Sequence, residues 1–569
     1  MQTERIWRLP DIEQSTITDL SESCGISLLL ARLLLIRGID NPEAVHEFLH
    51  PSVEHLHDPF DLTGVRPAVD RLMVAIEDKE RIAIYGDYDA DGITSTVILR
   101  RALELLDGDV VHFIPDRIRD GYGLQVDNID RLHDQGVRVI ISVDCGIRSA
   151  GAGERASGLG IDLIITDHHE PDQTLPKALS VINPKRADCL YPNKDLAGVG
   201  VTLKLVHALC IRAGREEWVP GFLKLAAIGT VADVVPLTNE NRAIAYLGLS
   251  LISDGPNTTG LEALLNVSGL RGRRLQSADV AFGVAPRLNA AGRMNSPDIA
   301  ARLLLTSNSR LRSEAGSLAQ QLDDENSRRR EEESDLVDRA KEYLAENPAV
   351  LAQAILVIAG ERWHRGVIGI GASRLTEEFG KPVILLSVDD EVAHGSGRSV
   401  GEFNLLASLE SCSDLFERFG GHQYAVGLVM PVGKINELRK RLNEFAVPHL
   451  ETIGTGRRLL IDADLDLDEI DEDLFREVAR LEPFGNENSR PIFRARGVEV
   501  VEGPRVIKGH HVSMTVKQGR RRFRAMAWKY AKNVDRIAEK RKSVDIAFSL
   551  SENIYRGNRS IELSVNDVK

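Results

Sequence analysis

The sequence has little of what marks secreted, disulfide-bonded or membrane-embedded proteins. Its 569 residues include only five cysteines, widely spaced and without a CxxC pair, so we expect neither a disulfide framework nor a structural zinc site. No apolar run approaches the roughly 20 residues that cross a bilayer, and the first residues do not resemble a secretory signal. We therefore expect a cytoplasmic protein that does not associate with membranes.

Two further observations concern phosphate chemistry. The Walker motif Gly-x-x-x-x-Gly-Lys-Ser/Thr is absent, so coupling to a nucleoside triphosphate is not indicated. The formal net charge is -14, which taken alone argues against a polyanionic partner. However, residues 501–530 contain eight lysines and arginines and the single acid Glu502. Because a local basic face is sufficient for nucleic-acid binding, the net charge does not exclude a polyanionic partner.

The chain is too long for one hydrophobic core and changes character several times. Residues 1–307 contain an N-terminal segment and Val- and Ile-rich runs that alternate with helical patterns, which predicts a parallel-sheet α/β domain. The highly charged residues 308–346 predict a connector helix. Residues 347–454 predict a second α/β domain, and the short alternating runs of residues 455–569 predict a small β-barrel of the OB type. The predicted fold class is thus α/β multidomain with a C-terminal barrel.

Three aspartates, Asp87, Asp89 and Asp91, occupy alternate positions directly after a predicted strand. Carboxylates this close repel one another unless a positive charge lies among them, and a divalent cation is the usual solution. The same spacing opens an EF-hand calcium loop, but Ile98 stands where that loop needs a glutamate, and a strand precedes where it needs a helix. An ordinary surface turn is the remaining alternative.

More candidate ligands follow other apolar segments. Asp144 and the pair His168 and His169 come after predicted strands, and Asp233 ends an apolar helical stretch. Alone, Asp144 or Asp233 would be interpreted as a helix cap. Since ligands collect beyond the carboxyl ends of parallel strands, we expect these side chains to converge. Several carboxylates with one or two imidazoles suit Mn²⁺ or Mg²⁺, and the set is large enough for two ions.

In this order, these motifs resemble the DHH phosphoesterase superfamily, whose signature corresponds to Asp167-His168-His169. Residues 85–92, 115–117, 121–124, 143–146 and 286–294 resemble the RecJ family of single-strand-specific 5′→3′ DNA exonucleases, and residues 363–370, 395–399 and 420–422 resemble its DHHA1 domain. The resemblance covers nearly the whole chain. One departure is Ala425-Val426-Gly427, where the family commonly has two small residues before the glycine; we expect it to affect packing only.

The resemblance implies roles for individual residues. The implied metal ligands are Asp87, Asp89, Asp91, Asp144, His168 and Asp233, with His169 close to the scissile phosphate and Asp87, His168 and His169 as the catalytic set. The implied substrate-binding residues are Arg117, Arg287, Asn289, Arg293, Ser396, Arg398 and His422, although Arg117 and Arg293 could instead form ordinary salt bridges. In the barrel we expect DNA contacts from Arg520, Arg521, Arg522, Arg524 and Lys529, whereas Phe523, Trp528 and Tyr530 are at least as typical of barrel core.

The implied function is that of a monomeric exonuclease with two Mn²⁺ or Mg²⁺ ions, acting on single-stranded DNA with a 5′ phosphate in DNA repair, recombination and mismatch repair. Single-strand-binding protein and a helicase are the implied partners. One alternative is a DHH phosphodiesterase of oligonucleotides or cyclic dinucleotides, which would lack the barrel. Another is a non-catalytic DNA-binding scaffold, which is expected to have lost metal ligands. Removing residues 455–569 should weaken binding to long strands and flatten its salt dependence, while leaving the hydrolysis of very short substrates largely intact.

Overall fold

The N-terminal segment packs against the far end of the chain. A computed structural model describes residues 5–117, 119–121, 123–453, 458–555 and 558–569. The segment contains strand β1 (Ile6–Arg8) and helices α1 (Gln14–Cys24), α2 (Leu28–Ile36) and α3 (Pro42–Leu49). Strand β1 pairs in parallel with the strand Arg458–Leu460, and the apolar faces of the three helices share one core with the C-terminal barrel. The sequence analysis did not predict this contact between the two ends of the chain.

The first α/β domain is built on a five-stranded, wholly parallel sheet, as predicted. Its strands, in the order β3-β2-β4-β5-β6, are β2 (Arg81–Tyr85), β3 (Asp109–Phe113), β4 (Val137–Val143), β5 (Asp162–Thr166) and β6 (Ser180–Ile182). The accompanying helices are α4 (Val65–Glu77), α5 (Ala90–Leu105), α6 (Val126–Asp134) and α7 (Ala150–Gly158). Alternate residues of the strands enter two separate cores, one on each face, which explains the nearly continuous apolar runs.

A helical layer follows and covers one face of this sheet. It consists of α8 (Gly198–Ala213), α9 (Val219–Ala232), α10 (Asn239–Asp254), α11 (Thr259–Val267), α12 (Ser277–Asp279), α13 (Ala285–Met294) and α14 (Asp298–Leu305). Helices α8 and α9 pack directly on α5. The loop of residues 86–89, which joins β2 to α5 and contains Asp87 and Asp89, is called the aspartate loop below. A π-helical turn, Val280–Val284, leads into α13.

The connector helix is present as α15 (Arg312–Glu346), followed by the short α16 (Pro348–Leu351). It packs on α11, α13 and α14 of the first domain and on α17 of the second. The second α/β domain has a five-stranded sheet in the order β10-β11-β9-β8-β7. Its elements are β7 (Leu356–Glu361), α17 (Ile368–Phe379), β8 (Val383–Asp389), β9 (Val392–Arg398), α18 (Leu405–Glu410), β10 (Arg418–His422), β11 (Ala425–Pro431) and α19 (Ile435–Ile453).

The C-terminal region forms a closed barrel, which confirms the OB prediction. Its strands are β12 (Arg458–Leu460), β13 (Ala463–Asp464), β14 (Phe493–Ile507), β15 (His511–Gln518), β16 (Arg521–Ala527), β17 (Val544–Tyr555) and β18 (Asn558–Val568), with helices α20 (Glu472–Ala479) and α21 (Val534–Glu539). The order β14-β15-β16-β18-β17 closes through a β14–β17 pairing. The predicted boundary at 454/455 lies at residues outside the described ranges. Among the described residues, no helix combines the length and apolarity needed to span a bilayer.

Candidate active site

The aspartate loop between β2 and α5 is wound tightly around its own carboxylates. The Asp89 side chain caps α5 by accepting from the backbone N–H groups of Asp91 at 3.0 Å and Gly92 at 3.1 Å. The side-chain oxygen of Asn289, on α13, accepts from the Ala90 N–H at 2.7 Å. A Cβ at Gly92 would lie 2.6 Å from the Asp87 side chain, so only glycine permits this close turn. Asp87 and Asp91 are consequently buried.

Asp91 joins this loop to the start of α8. Its two carboxylate oxygens accept from the backbone N–H groups of Gly198 at 2.7 Å and Val199 at 2.8 Å, a favourable place for a negative charge at a helix N-terminus. A Cβ at Gly198 would lie 2.4 Å from the Asp144 carboxylate. The sequence analysis missed Gly198 and Val199, although the small residues at 198 and 200 are the signal of a close backbone approach.

His168, Asp144 and Asp233 meet beside the loop. His168 Nε2 lies 3.2 Å from Asp144 Oδ1 and 3.6 Å from Asp233 Oδ2. Three groups each place their ligand atoms within 4.8 Å of one another: Asp87, Asp89 and Asp144; Asp91, His168 and Asp233; and Asp144, His168 and His169. The chain therefore brings together all six predicted metal ligands and His169.

Several of these atoms are buried without a hydrogen-bond partner in the described part of the chain, namely Asp87 Oδ1, Asp144 Oδ1 and His168 Nε2. Buried polar atoms are normally paired, and unpaired ones require an explanation such as a bound ion. Here the unpaired atoms are oxygens and one imidazole nitrogen that converge. This donor set fits a hard divalent cation such as Mn²⁺ or Mg²⁺.

The pKa shifts of the clustered side chains also indicate a divalent cation. Burial raises the pKa of Asp87 well above its usual range, and the neighbouring Asp89 raises it further. Burial likewise raises the pKa values of Asp144 and Asp233, with additional repulsion from nearby aspartates. Burial lowers the pKa of His168 to about 3, helped by the neighbouring His169. A cation would hold the carboxylates ionised, and a neutral imidazole is the form that binds metals.

Asp167, the first residue of the Asp-His-His motif, organises the motif and does not join the ligand groups. Its Oδ1 accepts from the His168 N–H at 2.7 Å and the His169 N–H at 3.0 Å and pairs with His169 Nδ1 at 2.7 Å. Its Oδ2 accepts from the Ile147 N–H at 2.9 Å. Burial alone would lower the pKa of His169, but the hydrogen bond to Asp167 raises it above the usual value. The contact with Asp167 thus favours the protonated form of the His169 imidazole, and 43% of the His169 side chain is exposed.

A group of three arginines lies beside the carboxylates; we call Arg117, Arg293 and Arg398 the arginine cluster. The Arg117 guanidinium sits 5.0 Å from the centre of the Tyr88 ring. Burial, assisted by the charge of Arg117, lowers the pKa of Arg293 to about 10. Burial and Arg117 lower the pKa of Arg398 in the same way. Within the described residues none of the three forms an ion pair with a carboxylate, so the cluster is suited to an anion.

The second domain supplies part of this anion site. Arg398 Nη1 donates to Ser396 Oγ at 3.1 Å and to the Gly397 carbonyl oxygen at 2.8 Å. Across the sheet, Arg398 pairs with Ala425, which pairs with His422. Burial and the charges of Arg398, Arg148 and His169 lower the pKa of His422. Since His169 belongs to the first domain, the two domains face each other across one site.

The comparisons with known proteins agree over the whole chain. Residues 81–230 match the DHH family N-terminal domain, residues 347–447 the DHHA1 domain and residues 461–567 the RecJ OB domain. The single-stranded-DNA-specific exonuclease RecJ of Salmonella typhimurium is 33% identical over 564 residues, which cover 95% of each chain. The chain belongs to the RecJ family.

Two other RecJ proteins extend this result. The RecJ of Bacillus subtilis is 39% identical over 515 residues, and the aligned region covers 90% of this chain and 64% of the longer relative. The crystal structure of Thermus thermophilus RecJ in complex with Mn²⁺ superposes with a TM-score of 0.83 at 30% identity. That superposition covers 99% of this chain and 79% of the Thermus chain. The RecJ architecture is therefore present from the N-terminal helices to the barrel.

Two residues of the RecJ motif on α13 have different contacts from those predicted. The prediction made Arg287 and Asn289 substrate-binding residues. Arg287 donates to Asp323 Oδ1 at 2.8 Å and to the Gly283 carbonyl oxygen at 2.6 Å, which ties α13 to the connector helix. Asn289 supports the aspartate loop through Ala90. These contacts give both residues structural roles, and substrate binding by either of them stays a prediction. Tyr122, part of another RecJ motif, lies outside the described residues.

The basic residues of the RecJ barrel lie at its surface. Arg522 and Arg524 alternate on β16 with buried Phe523 and stand opposite Lys517 and Thr515 of β15. The backbone N–H groups of Arg520 and Arg521 donate to Asp468, and Lys529 is also exposed. Of the three aromatics, Phe523 is core, Tyr530 donates to Asp567 at 2.8 Å, and Trp528 is 58% exposed. Trp528 is thus the aromatic available for stacking.

Proposed function

We propose that this protein is a metal-dependent exonuclease that degrades single-stranded DNA from the 5′ end and releases 5′-mononucleotides. Among the described residues, ligand atoms of Asp87, Asp144 and His168 are buried without a hydrogen-bond partner, and the arginine cluster beside them forms no ion pair with a carboxylate; this observation carries the proposal. A phosphodiester requires both, because the reacting phosphate needs cations and the terminal phosphate needs an anchor. The names of the RecJ relatives and the superposition of 99% of this chain on Thermus thermophilus RecJ support it.

The residues that would hold two Mn²⁺ or Mg²⁺ ions are Asp87, Asp89, Asp144, His168 and Asp233. Asp91 lies close to them and accepts hydrogen bonds from the N-terminus of α8. The Thermus relative was crystallised with Mn²⁺. Bound ions would lower the pKa of a nucleophilic water and neutralise charge that develops on the phosphate. The chain itself keeps the ligands in place through Asn289, through the N-terminus of α8 and through Asp167.

His169 and the arginine cluster act on the substrate directly in this proposal. The protonated His169 ring, held by Asp167, would donate to a non-bridging oxygen of the scissile phosphate as negative charge grows there. Arg117, Arg398 and Ser396 would hold the 5′ phosphate, so that the first phosphodiester lies at the carboxylates. Fixing one end of the strand relative to the hydrolytic centre gives both the direction of degradation and mononucleotide products.

The barrel extends the binding site for longer strands. Arg522, Arg524 and Lys517 would contact backbone phosphates, and Trp528 would stack on a base. A barrel of this kind also argues against the alternative of a small oligonucleotide or cyclic-dinucleotide phosphodiesterase. Action in DNA repair and recombination, cytoplasmic location, the monomeric state, and partnership with single-strand-binding protein and a helicase stay predictions.

The test uses single strands labelled at one end and blocked at the other. Strands with a free 5′ phosphate should be degraded to mononucleotides in Mn²⁺, and strands blocked at the 5′ end should not. Asp144→Asn should lower the rate at least about 100-fold, since even indirect ligand supports cost 10–100-fold. Asp172→Asn, at an exposed carboxylate, is the matched control. Full activity of Asp144→Asn would show that the proposed site is wrong, and degradation of 5′-blocked strands would refute the polarity.

A further inference from the structure

A loop from the C-terminal region touches the polypeptide that carries Asp233. This loop, residues 485–488 between α20 and β14, makes two hydrogen bonds to the segment that follows Asp233. Asn486 Nδ2 donates to the Val234 carbonyl oxygen at 3.1 Å, and the Leu237 N–H donates to the Asn486 carbonyl oxygen at 2.9 Å. Gly485 packs so closely on Leu237 that a Cβ would lie 2.6 Å from its side chain. The loop therefore contacts residues 234–237 at both ends of this segment.

Val234 is in an unfavourable backbone conformation. Its φ is +63°, a left-handed value that a β-branched residue rarely adopts and that marks a strained site. The side chain is 66% exposed, so burial does not compensate for the strain. A strained backbone persists only when its surroundings hold it. The side-chain hydrogen bond from Asn486 holds the carbonyl group of this residue.

The strain lies one residue from a proposed metal ligand. Asp233 Oδ2 is 3.6 Å from His168 Nε2, and its position depends on the direction in which the chain leaves α9. If Val234 relaxed to an ordinary β conformation, the peptide after Asp233 would rotate and the carboxylate would shift. A shift of this kind at one ligand weakens ion binding, because ligand oxygens must stay within a few tenths of an ångström.

We propose that Asn486 is a positioning residue of the metal centre: its side-chain amide keeps Val234 left-handed and thereby keeps Asp233 aimed at the ions. The proposal rests on the proposed function, since it takes Asp233 as a ligand. The loop is rigid enough for this role, because Asn488 Nδ2 donates to the Leu481 and Pro483 carbonyl oxygens, both at 2.9 Å. Arg37 of the N-terminal segment donates to Asn488 Oδ1 at 2.8 Å.

The proposed role of Asn486 gives the C-terminal region a second task besides DNA binding. The sequence led us to expect that removing residues 455–569 would spare the cleavage of very short substrates. In the structure that removal takes away Asn486 together with the loop that grips residues 234–237. Ion binding and the cleavage of short substrates should then both suffer. The C-terminal region thus contributes to the hydrolytic centre as well as to DNA binding.

The test compares Asn486→Asp and Asn486→Ala with Ser489→Ala in the full-length protein. Asn486→Asp keeps the size of the side chain and loses the N–H donor, and Ser489 is the exposed residue directly after the loop. Mn²⁺ binding is measured by electron paramagnetic resonance of the free ion. The kcat and KM for a short 5′-phosphorylated oligonucleotide are measured at limiting and saturating Mn²⁺.

We expect both Asn486 variants to raise the Kd for Mn²⁺ about fivefold, the equivalent of one hydrogen bond. Activity should fall at limiting Mn²⁺ and recover at saturating Mn²⁺, with KM for the oligonucleotide unchanged. Ser489→Ala should behave like the wild type. Combining Val234→Gly with Asn486→Ala should reduce the effect, because glycine adopts the left-handed conformation without strain.

An unchanged Kd for Mn²⁺ in both variants would overturn the proposal, whether or not thermal stability falls. A raised KM with unchanged Mn²⁺ affinity would also overturn it, since Asn486 would then be a DNA contact. Failure of the proposed function is distinguishable: a wild-type protein that binds Mn²⁺ but does not cleave single strands would refute the function, while the Mn²⁺ titrations would still decide the role of Asn486.

Discussion

Arg242, on α10 of the first domain, contacts both the N-terminal segment and the C-terminal region, and its replacement should lower the stability of the protein. The side chain is 2% exposed. Its Nε donates to the Phe48 carbonyl oxygen at 2.9 Å, and the guanidinium carbon lies 3.7 Å from the centre of the Phe48 ring. Nη1 and Nη2 donate to the carbonyl oxygens of Leu481, Arg480 and Glu482 at 2.9, 3.2 and 2.8 Å. Arg242→Met would remove all four hydrogen bonds while keeping most of the apolar bulk.

The expected loss follows from the four hydrogen bonds. A hydrogen bond from a charged donor contributes about 1.5–3 kcal/mol net of desolvation, or about 6–12 kcal/mol for four independent bonds. The four bonds share one guanidinium and are lost together, so this sum is an upper limit, and breaking a buried charged contact typically costs about 3–5 kcal/mol. Burial, assisted by repulsion from Arg37, lowers the pKa of Arg242 to about 9, so the charge itself is unfavourably placed and the lower range applies. We therefore expect Arg242→Met to lower the free energy of unfolding by about 4 kcal/mol.

Urea unfolding followed by circular dichroism would measure this loss. The control is Arg212→Met, the same change at a side chain that is 58% exposed and 3.3 Å from Asp70; exposed pairs of this kind contribute less than about 1 kcal/mol. Limited proteolysis should also cut Arg242→Met faster near residues 480–490. If both variants lost the same small amount, the four carbonyl contacts would not stabilise the protein and the reasoning would fail.

Two further predictions concern the site. Burial, reinforced by Asp89, raises the pKa of Asp91 from 3.8 to about 7. Because the folded protein then holds this proton more tightly than the unfolded chain, metal-free protein should lose stability as the pH rises from about 4 to about 7. Thermal unfolding with a chelator should show the loss, and saturating Mn²⁺ should abolish it; a flat metal-free profile would contradict the prediction. Gly427 lies opposite Ser396 on the sheet, and a Cβ there would meet nothing within 4 Å. Gly427→Ala should leave the Tm unchanged yet raise KM for DNA roughly tenfold, and an unchanged KM would mean that the substrate does not pass over this strand.

The ligand set was predictable because its signal is local. Each acid or imidazole follows an apolar run that could be recognised as a strand or helix, and parallel strands bring their carboxyl ends together. Their supports were not predictable, because Asn289, Gly198 and Val199 reach the ligands from helices about 100 residues or more away in sequence. The packing of the N-terminal helices on the barrel was missed for the same reason, since an amphipathic helix shows that it buries a face but not against what.

The two arginines of the RecJ motif on α13 show the limit of assigning residue roles from a motif match. Arg287 and Arg293 are six residues apart, which at 3.6 residues per turn places them about 120° apart around the helix. The two side chains therefore leave the helix in different directions. Arg287 faces Asp323 of the connector helix, and Arg293 donates to the Gly366 carbonyl oxygen at 3.1 Å, at the entrance to the second domain. A motif match assigned both to the substrate, whereas the contacts show that the two side chains reach different elements.

The carboxylates and the arginine cluster lie side by side without neutralising each other. The charge of Arg117 limits the rise in the pKa of Asp87, and the charge of Asp89 limits the fall in the pKa of Arg293, yet in the described part of the chain no ion pair joins the two groups. Direct salt bridges would be the simplest way to stabilise them, and since the described residues form none between the two groups, bound ions of opposite charge are the natural stabilising partners. Cations on one side and a phosphate on the other satisfy both groups. A phosphodiester end at this position would touch the two groups together, and this is the arrangement that hydrolysis one residue from a 5′ phosphate requires.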